Sequence, residues 1–348
     1  MQTAHTLSPW RVCVAPMLDW TDRHCRTFHR LLTRHTRLYT EMVTTGALLH
    51  GDVARHLDFG PHEHPVALQL GGSEPRDLAH AARLAAQWGY DEVNLNCGCP
   101  SERVQRGAFG ACLMNEPGLV ADGIKAMQDA VPLPITVKHR IGLGKDETYA
   151  LVRDFVGEVA HRGGARVFIV HARNAWLEGL SPKENREIPP LRYEVVHRLK
   201  HDFPDLTVVL NGGLDSDASM AEQLRLVDGV MIGRRAYQDP WCMRQWDRLF
   251  WEVAQEDAQE VGEEAGDDAA TSREHLEWAM VEYMERQMLQ HGTPWPRVAR
   301  HMLGLWNGAS GARRWRRVWS DHSRKDDPVR EVWDRARAAR GEAVAHSL

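Results

Sequence analysis

The sequence predicts an α/β fold, a closed (β/α)8 barrel followed by a small C-terminal helical domain. Short apolar runs recur eight times, at Val12–Ala15, Leu38–Met42, Val66–Leu70, Val93–Asn96, Ile135–Lys138, Val167–Val170, Thr207–Leu210 and Gly229–Ile232, with helix-like stretches between them. Strands alternating with helices pair in parallel, and eight such units within about 240 residues point to a TIM-type barrel rather than an open sheet. Residues 251–270 then hold eight acids and no Lys or Arg and are rich in Ala and Gly, the composition of a linker or mobile loop. The expected domains are a barrel over 1–250, an acidic linker over 251–270 and a helical domain over 271–348.

The connecting stretches carry the helical period at Pro75–Trp88, from Pro117 onward, at Glu147–His161 and at Leu191–His201. Beyond the acidic stretch, helical patterning resumes at Thr271, runs past Met288 and breaks at Gly292-Thr293-Pro294-Trp295-Pro296. A further helix is expected over Arg297–Leu305, followed by a basic, Trp-rich segment, Ala312–Trp319.

The chain of 348 residues is 43% hydrophobic and 26% charged, as soluble globular proteins are. No apolar run approaches the length of a membrane span, the first residues lack the basic start and apolar core of a signal peptide, and six scattered cysteines give no disulfide framework. A cytoplasmic protein is expected, acting as a monomer. The net charge of −5 is unevenly spread. Without the acidic stretch the remainder is net positive, and Arg297–Arg340 carries twelve Lys/Arg against five Asp/Glu. Such asymmetry fits either a polyanion-binding patch or a solvated helical surface. No Gly-x-Gly-x-x-Gly follows the first strand and no Walker P-loop is present, so a dinucleotide fold has little support.

Chemistry centres on residues 92–114, EVNLNCGCPSERVQRGAFGACLM. An apolar run stops at Cys97-Gly98-Cys99-Pro100 and places a thiol at the carboxyl end of a strand, where chemistry sits in parallel α/β folds. A closed zinc site needs four suitably spaced ligands, which Cys97, Cys99 and Cys112 do not supply. Cys97 reads as a small buried residue, and Cys99 as a reactive thiol. Other strands end in polar or Gly residues too: Ala15-Pro16-Met17, Gln69-Leu70-Gly71-Gly72, Lys138-His139-Arg140, His171-Ala172-Arg173, Asn211-Gly212-Gly213 and Gly233-Arg234-Arg235. The loops after strands 7 and 8 are the usual phosphate site of such barrels. Glycines there admit close approach of backbone N–H groups to an anion, and Arg234 adds a guanidinium suited to phosphate. A lysine at a buried strand end needs a polar or anionic partner. Lys138, His171 and Gln69 therefore fit the edge of a ring cofactor, and phosphate plus a flat heterocycle favours flavin mononucleotide over a free sugar phosphate.

These strand-end motifs, with Asn94-Leu95-Asn96-Cys97-Gly98-Cys99-Pro100-Ser101 and Arg300-His301-Met302-Leu303-Gly304-Leu305, resemble the tRNA-dihydrouridine synthases over about residues 10–320. Arg103-Val104-Gln105, Gly107-Ala108-Phe109-Gly110-Ala111, Leu180-Ser181-Pro182-Lys183-Glu184-Asn185-Arg186 and the same Arg300–Leu305 motif are similar to the bacterial subfamily acting on D-loop positions 20 and 20a. The acidic stretch departs from that pattern in length. The resemblance implies a flavoenzyme of tRNA processing that reduces the C5–C6 double bond of uridine, with hydride from N5 of FMN to C6, a proton from Cys99 to C5, and NADPH as reductant. It implies that Ala15, Pro16 and Met17 line the flavin and that Gln69, Lys138 and His171 contact its ring and ribityl region. It further implies that Asn211, Gly212, Gly213, Gly233 and Arg234 hold the phosphate, and that Asn96, Lys183, Arg186, Arg297 and Arg300 contact tRNA. Two rivals stand beside it. An FMN barrel acting on a free pyrimidine shares the fold and thiol but does not need the basic tail. A non-enzymatic RNA-binding protein explains the tail but not Cys99 with Lys138 and His171.

Overall fold

A computed structural model describes residues 7–101, 107, 109–145, 148–252 and 272–341. The strands are β1 (Val12–Val14), β2 (Leu38–Thr44), β3 (Val66–Gly71), β4 (Glu92–Cys97), β5 (Ile135–Arg140), β6 (Val167–His171), β7 (Thr207–Asn211) and β8 (Gly229–Ile232). The helices are α1 (Arg23–Arg30), α2 (Thr45–His50), α3 (Val53–Leu57), α4 (Pro75–Trp88), α5 (Pro117–Ala130), α6 (Tyr149–His161), α7 (Tyr193–Asp202), α8 (Asp217–Gln223) and α9 (Arg234–Gln238). Then come α10 (Arg273–His291), α11 (Trp295–Ala299), α12 (Ala312–Trp319) and α13 (Val329–Arg340).

All eight expected strands form, within a few residues of their expected bounds, as one parallel sheet in which β1 pairs with β8 and each later strand with its neighbour. A bridge between Cys13 and Arg37, just before β2, closes the circle into a TIM barrel. Strands β3 and β4 are buried throughout, as parallel strands covered on both faces must be. Part of the barrel interior is apolar: Cys13, Ala15, Tyr39, Ala67, Ile169, Val209 and Met231 cluster, with Trp10 and Met17 against them. The helices obey local rules. Pro75 opens α4, where its missing N–H costs nothing, and Gly89 ends it at φ 85°. Gly123 of α5 leaves room for the Leu78 side chain of α4.

The chain separates into two compact units, 1–23 with 35–233, and 24–34 with 234–348. The expected boundary at residue 250 falls inside the second unit, because 234–252 and the 24–34 segment group with the C-terminal helices. Most of the acidic segment, 253–271, lies outside the described residues.

In the second unit, the Glu277 carboxylate on α10 accepts the indole N–H groups of Trp306, Trp315 and Trp319 at 3.2, 2.7 and 2.9 Å. These tryptophans are buried, so the Trp-rich segment forms core while its arginines face out. The helix expected over Arg297–Leu305 is instead the short α11 followed by a run of tight turns, such as His301 N–H to Val298 O and Leu305 N–H to Met302 O. Within that run the backbone of Gly304 lies against the Gln238 carbonyl, leaving no room for a Cβ. Among the described residues no helix is long and apolar enough to cross a membrane.

Candidate active site

Along β4, Glu92, Asn94 and Asn96 alternate with Val93, Leu95 and Cys97. A strand's period of two puts the polar three on one face, here buried. Asn96 Oδ1 accepts the backbone N–H groups of Gly98 at 3.1 Å and Cys99 at 3.0 Å, a side-chain-closed turn that stops the strand. Asn96 Nδ2 donates to Gln69 Oε1 at 2.9 Å, Gln69 Nε2 to Asn94 Oδ1 at 2.7 Å and Asn94 Nδ2 to Thr136 Oγ1 at 2.8 Å. The Cys99 carbonyl accepts from Ala111 N–H at 2.9 Å. Cys97 is buried and its thiol is pushed up by burial, whereas Cys99 is partly exposed. Cys97 is thus buried as expected, and the two cysteines differ in exposure.

Half-buried Lys138 lies in register with Asn96. Burial pushes its pKa down to about 7, Arg140 and Arg186 act in the same direction, and Cys99 opposes them. Lys138 has no hydrogen-bond or ion-pair partner among the described residues. His171 pairs in register with Arg140 and Asn211. Burial holds its pKa well below the usual imidazole range, and Arg140, Lys138, Arg173 and Arg186 add to this, so the ring is neutral at pH 7. Its Nδ1 is buried without a partner. Arg140, pushed down to about 10 by burial, donates to three carbonyls: Gly98 at 3.2 Å, Asn174 at 3.3 Å and Asn185 at 2.9 Å. A lysine without a partner and a buried imidazole edge among arginines fit a ligand rich in carbonyl or anionic oxygen.

The turn after β7 uses Gly212 at φ 112° and Gly213 at φ 70°. A Cβ on Gly212 would stand 3.2 Å from His171 Nε2, and one on Gly213 would overlap a Leu191 methyl. Tyr193 OH donates to the Gly212 carbonyl at 2.7 Å, and Asn211 Nδ2 donates to the Met231 carbonyl at 2.7 Å. The side-chain amide of Asn211 thus ties β7 to β8. The N–H groups of Gly212, Gly213 and Gly233 have no partner among the described residues. A Cβ on Gly233 would lie 3.8 Å from both Ala15 and Met17, so the Ala15-Pro16-Met17 segment borders this turn. Open N–H groups at glycines beside a neutral imidazole fit a phosphate-bearing flat ring.

Lys183 and Arg186 are exposed on the loop after β6. Buried Asn185 organises that loop, accepting Trp176 N–H at 2.8 Å and donating to Trp176 O at 2.9 Å. Arg234, Arg297 and Arg300 belong to the helical unit. Arg234 opens α9, Arg297 is exposed in α11, and Arg300 Nε lies 3.2 Å from both Arg297 O and His301 Nε2. Arg103-Val104-Gln105 and Ala108 lie outside the described residues. The sequence reading missed Glu92, Asn94, Thr136 and the anchoring by Arg140. Its available signal was the alternation of polar residues along β4, an inward polar face where an apolar one is the rule.

Fold and site together define a barrel with a partly exposed thiol at one strand end and a glycine turn with open N–H groups at another. Residues 13–340 match the family Dihydrouridine synthase (Dus). The chain is 53% identical over 319 residues to the tRNA-dihydrouridine(20/20a) synthase of Salmonella typhimurium, covering 92% of each. It is 51% identical over 328 residues to that of Vibrio cholerae, covering 94% of this chain and 96% of the relative. Among solved structures it is similar in fold to a 2-naphthoyl-CoA reductase complex, with TM-score 0.53, 11% identity and coverage of 68% of this chain and 50% of that one. A morphinone reductase gives TM-score 0.50 and 14% identity, covering 68% and 85%. The chain belongs to the dihydrouridine synthase family, in the bacterial subfamily named for positions 20 and 20a.

Proposed function

We propose that this protein reduces uridine at positions 20 and 20a of the tRNA D-loop to dihydrouridine, with Cys99 as proton donor, FMN as cofactor and NADPH as reductant, acting as a monomer. The observation that carries the reading is the Cys99 turn, whose backbone N–H is held by Asn96 and whose partly exposed thiol lies near the cationic end of β5. Relatives alike over nearly their whole length carry the tRNA substrate in their name, which favours RNA over a free pyrimidine.

FMN fits the residues present. The N–H groups of Gly212, Gly213 and Gly233, with Arg234, would hold its phosphate. His171 Nδ1, Lys138 and Gln69 would meet its ring and ribityl oxygens, and Ala15, Pro16 and Met17 would line it. When bound, it supplies the hydride for C6 of the uracil. Cys99 then gives its Sγ–H proton to C5, and the thiolate left behind sits in the field of Lys138 until water reprotonates it. A positioned thiol can give a proton to the reacting carbon as a general acid. The uracil must be flipped out to reach the barrel mouth, which costs a few kcal/mol. Phosphate contacts from Lys183, Arg186, Arg297 and Arg300, with Asn96 at the base, offset that cost.

The test is single-turnover reoxidation of the NADPH-reduced protein by unmodified tRNA without oxygen, followed by flavin absorbance. Wild type reoxidises and dihydrouridine appears in the D-loop. Cys99→Ala keeps its flavin and its reduction by NADPH but stalls with tRNA. Full turnover by Cys99→Ala refutes the proton donor.

A further inference from the structure

The amide chain that ends on the Cys99 turn begins at the opposite mouth of the barrel. Glu92, the first residue of β4, is fully buried. Its Oε1 accepts Thr136 Oγ1 at 2.5 Å and Tyr39 OH at 2.9 Å. Its Oε2 accepts Trp10 Nε1 at 2.7 Å and forms an ion pair with Arg37 Nη1 at 3.2 Å. From there the bonds run Thr136, Asn94, Gln69, Asn96 and the backbone of Gly98 and Cys99. They span about 17 Å at a strand's rise per residue.

We propose that Glu92 is a positioning residue for the Cys99 turn: its carboxylate fixes the donor–acceptor sense of the Thr136–Asn94–Gln69–Asn96 chain that holds Gly98 and Cys99. The functional weight of this inference rests on Cys99 being the proton donor. Carboxylates only accept and backbone N–H groups only donate, so the two ends of the chain are set independently. Glu92 takes the Thr136 proton, and the Thr136 oxygen is then free to accept Asn94 Nδ2. Asn94 Oδ1 must then face Gln69 Nε2, Gln69 Oε1 must face Asn96 Nδ2, and Asn96 Oδ1 is left for the turn. The N–H groups of Gly98 and Cys99 demand the same sense from the other end. Reversing any one amide sets N–H against N–H and oxygen against oxygen in a buried site, where each unmade bond is expensive. Aligned bonds of this kind polarise one another, and a charge at one end reinforces all of them. Glutamine at position 92 does not reproduce the carboxylate: an amide N–H at the Oε2 position would face the Trp10 and Arg37 donors, and one at the Oε1 position would force the Thr136 and Tyr39 hydroxyls to accept instead of donate.

The experiment measures alkylation of Cys99 by iodoacetamide in the purified full-length protein, resolved by peptide mass spectrometry, with Cys112 as internal reference. It compares wild type, Glu92→Gln, Thr136→Val and the double variant. Thr136→Val cuts the chain while leaving Glu92 with Arg37, Trp10 and Tyr39. Each single change is expected to loosen the turn and raise the Cys99 rate about fivefold, the worth of one net hydrogen bond. The double variant is expected to match the singles, because both cut the same chain. If Glu92→Gln melts earlier but alkylates at the wild-type rate, its role is structural only and the proposal falls. Multiplying effects in the double variant also overturn it. If Glu92→Gln does not fold, Thr136→Val decides alone, and a wild-type rate there is refuting. Alkylation needs no turnover, so a failure of Cys99 as proton donor shows separately, in the Cys99→Ala reoxidation.

Discussion

Lys138 places a titratable ammonium at a half-buried strand end with no partner among the described residues, and this has a thermodynamic signature. Burial, then Arg140 and Arg186, depress its pKa from the ordinary 10.5 to about 7. Between these two pH values the unfolded chain binds more protons than the folded one, so this group makes stability rise with pH. Its penalty is complete below pH 7, fades as the pH climbs and is gone above 10.5. At about 1.36 kcal/mol per pKa unit the ceiling is about 5 kcal/mol, and water reaching the half-buried chain reduces the expected value to about 2 kcal/mol. Lys138→Met removes the titration and keeps the stem's packing. By calorimetry on flavin-free protein at pH 6.5, the variant should melt about 5 °C higher, given a few degrees per kcal/mol in a domain of this size. The gain should shrink at pH 9.5. Flavin titration should show weaker binding in the variant, since the ammonium is what the site offers an anionic or carbonyl oxygen. A variant no more stable than wild type at pH 6.5, or a gain that does not fall with pH, refutes the assignment of Lys138 as a desolvated cation awaiting a ligand.

Other outcomes follow from the same geometry. Gly213→Ala combines a left-handed backbone, a penalty of about 1–2 kcal/mol, with overlap on Leu191. Flavin affinity should fall at least about tenfold in a fluorescence titration, while Gly144→Ala, where nothing lies within reach of the added carbon, should leave flavin affinity unchanged. Lys183→Ala with Arg186→Ala should weaken tRNA binding and lower the slope of log K against log salt by about 1.4, as for two lost phosphate contacts on single-stranded RNA. An unchanged slope in filter binding would remove that loop from the interface. Glu277→Ala leaves three buried indole N–H groups without their acceptor. It should destabilise the helical unit by about 2–4 kcal/mol, seen as an earlier tryptophan-fluorescence transition in urea.

The sequence by itself determined the barrel. Apolar runs at a strand's length, alternating with helical periods, leave parallel pairing as the way to bury both faces of every strand, and all eight runs became strands. It also marked candidate positions for the chemistry, because polar and Gly residues end runs that a plain core would continue, and Cys99-Pro100 marks an end that cannot extend. The family resemblance added roles to those positions. Tertiary structure alone decided the rest. Composition placed the domain boundary at the acidic stretch, whereas packing groups 234–252 with the helices, since cohesion follows contacts rather than charge. Trp315 and Trp319 stand in a basic segment, and what gathers them into the core is Glu277, far upstream on α10, whose carboxylate collects their indoles. Arg140 read as one polar strand end among several, and Glu92 fell just outside the expected Val93–Asn96 strand. Only the closed barrel brings Arg140 to three carbonyls on two loops, those after β4 and β6, and only it lines up residues of three strands between Glu92 and Cys99. Hydrogen bonds between strands depend on register, and register is a property of the closed sheet that no single stretch of sequence carries.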